Sequence, residues 1–535
     1  MIRSNKDQCL WVLWLLLATV VVGTMALSSI HEPLIDEHYF RQTQTALTAY
    51  WFNWASPIKS LFYSETPLFG FPWQVPFELP FYQALVSAVS KVSCISISQS
   101  GRLVSLFMYI LTIPLFGSLA MGLKLGKRFI LVSSILWVCS PLYLYWSRTV
   151  MIESTAVFFG FVFLAGVERA IASRKVYWWV LAFVASLSCA LVKVTTYPAF
   201  GLAALGILAW KTAPIIYPRF ANKEKLRAIL PAFLRISFIG IATIATTSAW
   251  TRHADSIKME NSISSYLTSK SLESWNFGTL AQKRDIKNWK QLFNRSIPEA
   301  IGSYWVLGFL LVAGCFHKGK KAVLFWGLMV LYLFPMAIFT NLHLVHSYYQ
   351  YANSFWLVLA LGFSVAEMSK RAPKFLTYIV VLTIIAAQLH AYLKNYYPAT
   401  RLQTTGALEI GKYIATHSEK NQSILVIGDD WSPEVAFHSG RRAVYIPAWL
   451  SQKQAAVTFK RIRENPKIIF GSFSPAYIIL NPIGLASYRL ELRQEIDQLL
   501  IQLGKNENSK CFTNYGYDLL QTKMDNNCLR IQFAE

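Results

Sequence analysis

Apolar runs of about 17–22 residues recur along this chain and limit its fold more than any other feature. The first, Trp11 to Ile30, is 20 residues long and carries no charge. A helix of about 20 apolar residues crosses the hydrocarbon core of a bilayer. Backbone polar groups at that depth must bond internally, so such runs can only be helices there. Eleven spans are expected, near 10–30, 102–122, 129–146, 154–170, 176–193, 196–212, 232–251, 299–316, 322–340, 354–368 and 375–393. The fold class read from this pattern is a polytopic α-helical membrane protein. The first run is too long for a signal-peptide core and lacks a small-residue cleavage site, so it is expected to be retained.

Charge placement argues for topology. The net charge is +23, a value that in a soluble chain would suggest nucleic acid. Here residues 1–400 hold 35 Lys and Arg against 15 Asp and Glu, while the rest hold 16 against 13. The excess falls in alternate loops: Arg3 and Lys6; Lys124, Lys127 and Arg128; Arg169, Arg174 and Lys175; Lys211 to Arg227; Lys318, Lys320 and Lys321; Lys370, Arg371 and Lys374. By the positive-inside rule these loops are cytoplasmic, with the N-terminus, and nucleic acid is not a partner. The outer side then receives a long loop at about 31–101, a second at 252–298, and everything after about residue 395.

Texture changes near residue 400. Ser423–Gly428 and Ala476–Leu480 read as short buried strands, 485–504 as an amphipathic helix and 511–533 as a closing strand pair. The expected division is a transmembrane domain over 1–395 and a small extracytoplasmic α/β domain over 400–535. Cys9, Cys139, Cys189 and Cys315 lie in or beside apolar runs as small core residues. Cys94 stands alone, and Cys511 and Cys528 could pair in an oxidising compartment. No CxxC or zinc spacing occurs.

Residues able to do chemistry gather in the outer loops. Asp36–Glu37 lies just past the first span, where a carboxylate meets both water and lipid headgroups. Sugar transfer from a lipid phosphate needs such a base for the acceptor proton, and a cation for the leaving phosphate. The alternative for this pair is a solvated cap after a helix. Glu78, within Pro76-Phe-Glu-Leu-Pro-Phe-Tyr82, is a site residue or a hydrogen-bonded hinge. Arg148 and Glu153 are the charges of the next outer turn, functional by default at that depth or else a structural pair. Lys193 ends an apolar run and could hold a phosphate or snorkel. His346, Tyr348 and Tyr349 form a His-x-Tyr-Tyr turn, less bland than an aromatic-belt tyrosine. Asp429–Asp430 reads as a strand-to-loop turn.

Taken in order, these segments resemble the GT-C membrane glycosyltransferases of family 39 type, which include protein O-mannosyltransferases and aminoarabinose transferases. The resemblance runs over roughly residues 10–395. It comprises Asp36–Glu37 after a first span, then Glu78-Leu-Pro-Phe-Tyr82, one residue shorter than the family's pattern. Gly101-Arg102-Leu103 opens the second span. Arg148 with Glu153 follows, Glu153 standing where relatives often have Asp. Leu191-Val-Lys193 and the His346–Tyr349 turn complete the series.

The resemblance implies a GT-C fold and a polyprenyl-phosphate-linked sugar donor. The acceptor would be a glycolipid, glycan or protein outside the cytoplasm, and the setting the bacterial inner membrane. It carries the base to Asp36, with Glu37 beside it. Arg148, Lys193, His346, Tyr348, Tyr349, Glu78 and Arg102 become the donor-phosphate and substrate residues. Glu78 and Glu153 are the carboxylates available to a divalent ion, and no other cofactor is implied. Two other readings are a transporter or flippase for a lipid-linked sugar, and a polysaccharide polymerase or ligase. The first calls for charges deep in several spans and for broken helices. The second calls for outer-loop arginines outweighing acids.

Overall fold

The computed structural model describes residues 2–216, 223–486, 490–502, 510–514 and 517–521. Residues 217–222 of the expected Lys211–Arg227 loop, Cys528, and 522–533 of the expected strand pair lie outside them. The chain forms two compact units. The first comprises Met1–His31, Gln99–Trp250 and Glu273–Arg401, and the second Glu32–Ser98, Thr251–Leu272 and Leu402–Glu535.

The first unit is all helix. Six helices are long and apolar enough to cross a bilayer: Trp11–Ser28, Ile97–Gly122, Glu153–Ser173, Ile229–Met259, Lys320–Ile338 and Lys374–Asn395. A bent pair, Ile286–Ile301 and Tyr304–Cys315, brings the number to as many as seven among the described residues. The other expected spans are shorter or less apolar helices. The run at 129–146 divides into Lys127–Val138 and Pro141–Trp146. Pro141 has no N–H to give to a continuing helix, so the break falls just before it. The run at 232–251 instead continues to Met259, eight residues past its apolar end. Nothing in Thr251-Arg-His-Ala-Asp-Ser-Ile-Lys258 forbids helix, and the loss of hydropathy there marks a change of surroundings only.

Between such helices the driving force is close packing and hydrogen bonding, because lipid tails are as apolar as leucine. Trp137, Phe161, Phe200, Phe355 and Trp356 form the centre of this unit, all at most 4% exposed. Their rings meet at 4.3–6.4 Å, among them Phe355–Trp356 at 4.3 Å and Trp137–Phe161 at 5.6 Å. Polar groups inside are bonded across helices. Ser186 meets Thr243 at 2.7 Å, Gln388 donates to the Leu136 carbonyl at 3.0 Å, and Lys211 pairs with Glu168.

The second unit holds a five-stranded sheet of order β2-β1-β3-β5-β4. The strands are β1 Ser423–Ile427, β2 Arg442–Ile446, β3 Pro475–Leu480, β4 Lys510–Asn514 and β5 Tyr517–Gln521. β2, β1 and β3 run parallel, and β5 and β4 are antiparallel. All five residues of β1 are buried, as its unbroken Ile-Leu-Val-Ile requires of a strand covered on both faces. The expected helix at 485–504 is present as Leu490–Gln502. β2 was not expected: Arg442-Ala-Val-Tyr-Ile446 is a five-residue run without the alternation that marks a half-exposed strand.

The loop after the first span packs in this second unit. Its residues 67–69 lie along β2: the Ala443 and Tyr445 amides donate to the carbonyls of Pro67 (3.0 Å) and Leu68 (2.8 Å). Phe69 bridges Val444. An edge strand needs such cover, since its free amides would otherwise pair with another chain. Leu68 and Phe69 are fully buried, each contributing about 1.5–3 kcal/mol over exposure. Asn261 donates to the carbonyls of Phe69 and Phe71 at 2.8 and 3.0 Å. Arg442 lies between Trp51 and Phe473, 4.0 and 4.3 Å from their centroids, and pairs with Glu65 at 3.1 Å. By packing, then, the first outer loop goes with the tail, although the sequence division at 395 groups it with the spans.

Candidate functional site

In the second unit the two adjacent acids have opposite environments. Asp36 is 5% exposed, whereas Glu37 is exposed. The difference arises from the start of helix Tyr39–Tyr50. His38 sits in the left-handed region at φ 51°, and the Tyr39 amide donates to the Asp36 carbonyl at 3.0 Å. That turn directs Asp36 inward. Gln42, one turn into the helix, then reaches back and donates to Asp36 Oδ1 at 2.6 Å and to the Glu37 carbonyl at 2.9 Å. Asp36 is therefore an oriented carboxylate rather than a solvated cap.

Glu78 is held at both oxygens. Arg41 Nη2 donates to Oε2 at 2.9 Å and Gln83 Nε2 to Oε1 at 2.7 Å. Arg41 Nη1 also donates to Gln44 Oε1 at 2.7 Å. Four side chains from three segments thus form one connected network. Its members Arg41, Gln44 and Gln83, and Gln42 beside Asp36, were not picked out from the sequence. The signal for three of them was the Arg41-Gln42-x-Gln44 series at the start of helix Tyr39–Tyr50; Gln83 had none.

Further along this unit, Asp430 follows β1 in a turn, as expected. Its Oδ1 accepts from the Trp431 amide at 2.7 Å and from Trp449 Nε1 at 2.8 Å. Trp431 stacks on Phe77 at 5.6 Å and meets Phe40 edge-on at 4.6 Å. Burial pushes the nearby Glu434 carboxyl up to about 7. The Thr405 hydroxyl opposes that shift by hydrogen bonding, and the Asp429 charge adds to it.

In the first unit the central cation is Lys193. Helix Val176–Val192 ends on it, and its backbone turns to extended geometry at φ −155°. It pairs with Glu153 at the start of helix Glu153–Ser173; the two side chains are 7% and 3% exposed. The ammonium also faces the rings of Tyr349 and Tyr348, 4.1 and 4.8 Å from their centroids. A buried lysine costs several kcal/mol unless its charge is answered, and here a carboxylate and two π faces answer it. This is a fixed cation, not a snorkelling one. Glu153 Oε2 has no hydrogen-bond partner among the described residues.

Arg148 is also buried, at 3%. Its guanidinium donates to Ser29 Oγ at 2.7 Å and lies 4.8 Å over the Tyr145 ring. The structural Arg148–Glu153 pair weighed from the sequence gives way to Lys193–Glu153. The reason is helical reach: Glu153 opens a new helix beside the end of Val176–Val192, where Lys193 sits.

Residues His346, Tyr348 and Tyr349 stack in a row, His346 on Tyr348 at 5.2 Å and Tyr348 on Tyr349 at 4.8 Å. His343, missed from the sequence, lies one turn earlier and is 1% exposed. Its ring nitrogens face Gln350 at 3.3 Å and Asn353 at 3.4 Å. Its carbonyl accepts from Arg295. The doublet His343-x-x-His346 was the available clue. Tyr351, also missed, hydrogen-bonds Ser154 at 3.0 Å beside Glu153. Arg102 is 2% exposed on helix Ile97–Gly122.

The predicted residues thus fall into two groups. Asp36, Glu37 and Glu78 belong to the second unit, and Arg102, Arg148, Glu153, Lys193, His346, Tyr348 and Tyr349 to the first. Among the described residues no three His, Cys, Asp or Glu side chains gather to hold a metal ion. Glu78 and Glu153, the two carboxylates offered for one, are each engaged by a cation.

No family model matches the sequence, and neither does any curated protein. Solved structures do match. The crystal structure of ArnT from Cupriavidus metallidurans bound to undecaprenyl phosphate superposes with a TM-score of 0.60 at 10% identity, covering 95% of this chain and 98% of that one. The same protein in the apo state gives a TM-score of 0.47 at 12% identity, over 95% and 98% of the two chains. The cryo-EM structure of the arabinofuranosyltransferase AftD from Mycobacteria gives 0.49 at 13% identity, covering 96% of this chain and 40% of that one. The superposition at 0.60 runs through both units, and with the apolar helices it establishes that this chain is a multi-pass membrane protein with the GT-C fold of ArnT.

Proposed function

We propose that this protein is a membrane glycosyltransferase. It would take a sugar from a polyprenyl-phosphate carrier and pass it to a hydroxyl or phosphate acceptor outside the cytoplasm. One observation carries this reading: Lys193 is a buried cation fixed by Glu153, Tyr348 and Tyr349, in a chain with the fold of a protein solved with undecaprenyl phosphate. A phosphate leaving a sugar gains negative charge, and a preoriented cation lowers the cost of that charge. Arg148 is another buried cation of the same unit. Asp36 would remove the acceptor proton, with Gln42 holding the oxygen that does not. Glu78 would orient the acceptor through the Arg41–Gln83 network.

The test is direct. Full-length protein in detergent, given a polyprenyl-phosphate-linked pentose or hexose and envelope extract as acceptor, should release free polyprenyl phosphate and label the extract. Release of the carrier with no labelled product, across the donor panel, would leave only hydrolysis and overturn the reading.

Orientation is part of the proposal. The basic loops would face the cytoplasm of a bacterial inner membrane, with Asp36 and the tail outside. Alkaline-phosphatase fusions should be active at residue 400 and inactive at residue 373. The reverse pattern would put Asp36 on the cytoplasmic side and remove the extracytoplasmic acceptor.

A further inference from the structure

Helix Ile286–Ile301 meets the next apolar helix, Tyr304–Cys315, at 86°. Gly302 makes the corner at φ +93°, where a Cβ would lie 2.6 Å from the Ala387 carbonyl carbon and Gln388 nitrogen. The preceding helix, Ile286–Ile301, thus runs nearly perpendicular to Tyr304–Cys315. That helix is two-faced. Leu292, Ile297, Ala300 and Ile301 are buried against the unit. Lys287, Lys290, Gln291 and Asn294 are exposed, at i, i+3, i+4 and i+7 of one stripe. An amphipathic helix with a basic polar face is the arrangement that meets anionic headgroups.

The stripe is also concave. Lys287, Lys290, Gln291, Asn294 and Arg295 line an open groove of about 440 Å³. Arg295 cannot swing out of it, because its two Nη groups donate to the carbonyls of Leu344 (3.1 Å) and His343. None of the three cations has a carboxylate partner among the described residues. The acid nearest the two lysines in sequence, Asp285, is occupied in capping the helix, accepting from the Lys287 amide at 2.8 Å, and Glu299, nearest to Arg295, is buried. Apolar side chains stand free at both ends of the helix: Ile286 is 77% exposed and Trp305 is 52% exposed. Tyr304 ties the start of the span to the groove through Asn294 at 2.7 Å. Tyr and Trp at such a point mark headgroup level.

We propose that this groove binds the phosphate of an anionic lipid headgroup, with the lipid's acyl chains lying against Ile286 and Trp305. The groove shares no lining residue with the Lys193–Glu153–Tyr348–Tyr349 cluster. It would seat this helix on the leaflet and, through Arg295, steady the backbone of His343 and Leu344.

Native mass spectrometry of the full-length protein, titrated with phosphatidylglycerol, reads this site. Lys287→Gln/Lys290→Gln should bind phosphatidylglycerol about tenfold or more weakly, since each basic residue at a membrane surface adds materially to anionic-lipid binding. Lys287→Arg/Lys290→Arg should retain the parent affinity. A matched control, Lys318→Gln/Lys320→Gln, removes two cations from another loop and should bind as the parent does. Parent-like affinity in the 287/290 Gln variant, or an equal loss in the control, would overturn the proposal. Inorganic phosphate in excess should leave the lipid bound. Its complete displacement would instead identify a free-phosphate site and overturn the lipid assignment.

Discussion

Asp36→Asn is expected to lose sugar transfer by roughly 10²-fold or more, the usual scale of a removed general base, while the protein still inserts and folds. Asn has the shape of Asp, and its Oδ1 can still accept the 2.6 Å bond from Gln42. What would disappear is the charge proposed to take the acceptor proton. Initial transfer rates with purified full-length protein measure the effect. The neighbouring Glu37→Gln is the internal contrast. That side chain is exposed, and its loss should change the rate by less than about tenfold. An Asp36→Asn enzyme turning over at nearly the parent rate would remove Asp36 from the chemistry and direct the search to Glu78.

Lys193→Met has the second large effect, with two components that must be separated. Removing the ammonium takes away the proposed phosphate cation. It also leaves Glu153, 3% exposed, without its partner. Breaking one side of a buried pair typically costs about 3–5 kcal/mol, enough to harm folding by itself. Lys193→Met/Glu153→Gln therefore serves as the companion variant, since it leaves no orphaned charge. Both variants should bind the polyprenyl-phosphate donor more weakly and transfer at least tenfold more slowly. Lys193→Arg should keep part of each property, because it keeps the charge but replaces a compact ammonium with a planar fork. If the companion variant folds, binds donor and transfers at the parent rate, Lys193 is a structural cation. The phosphate site then has to be sought at Arg148 and His346.

Both predictions act on residues legible in the sequence for a simple reason. A chain in a bilayer must hide its backbone polar groups in helices, so its apolar runs give away the class of fold. Charges that survive near those runs are rare and costly, which is why Asp36, Arg148, Glu153 and Lys193 stood out before any geometry was known. Boundaries were less legible. The run at 129–146 breaks at Ser140–Pro141, and the run at 232–251 continues as helix into polar residues. Hydropathy reports surroundings, whereas helix ends are set by proline, glycine and capping.

The sequence by itself determined a polytopic helical protein, a small α/β tail, and a short series of carboxylates and cations just beyond the spans. Each of these follows from local composition and short spacing. Tertiary structure alone decided partners. It joined Lys193 to Glu153 across 40 positions and closed a network of Arg41 and Gln83 around Glu78. It turned Asp36 inward while leaving Glu37 in water, and it laid residues 67–69 along β2, more than 370 positions later. For the longest of these contacts the physical reason is distance along the chain. The Lys193–Glu153 and Arg41–Glu78 pairs and the covered edge of β2 are each stabilised by groups far apart in the chain. No window of sequence contains both ends of such a contact.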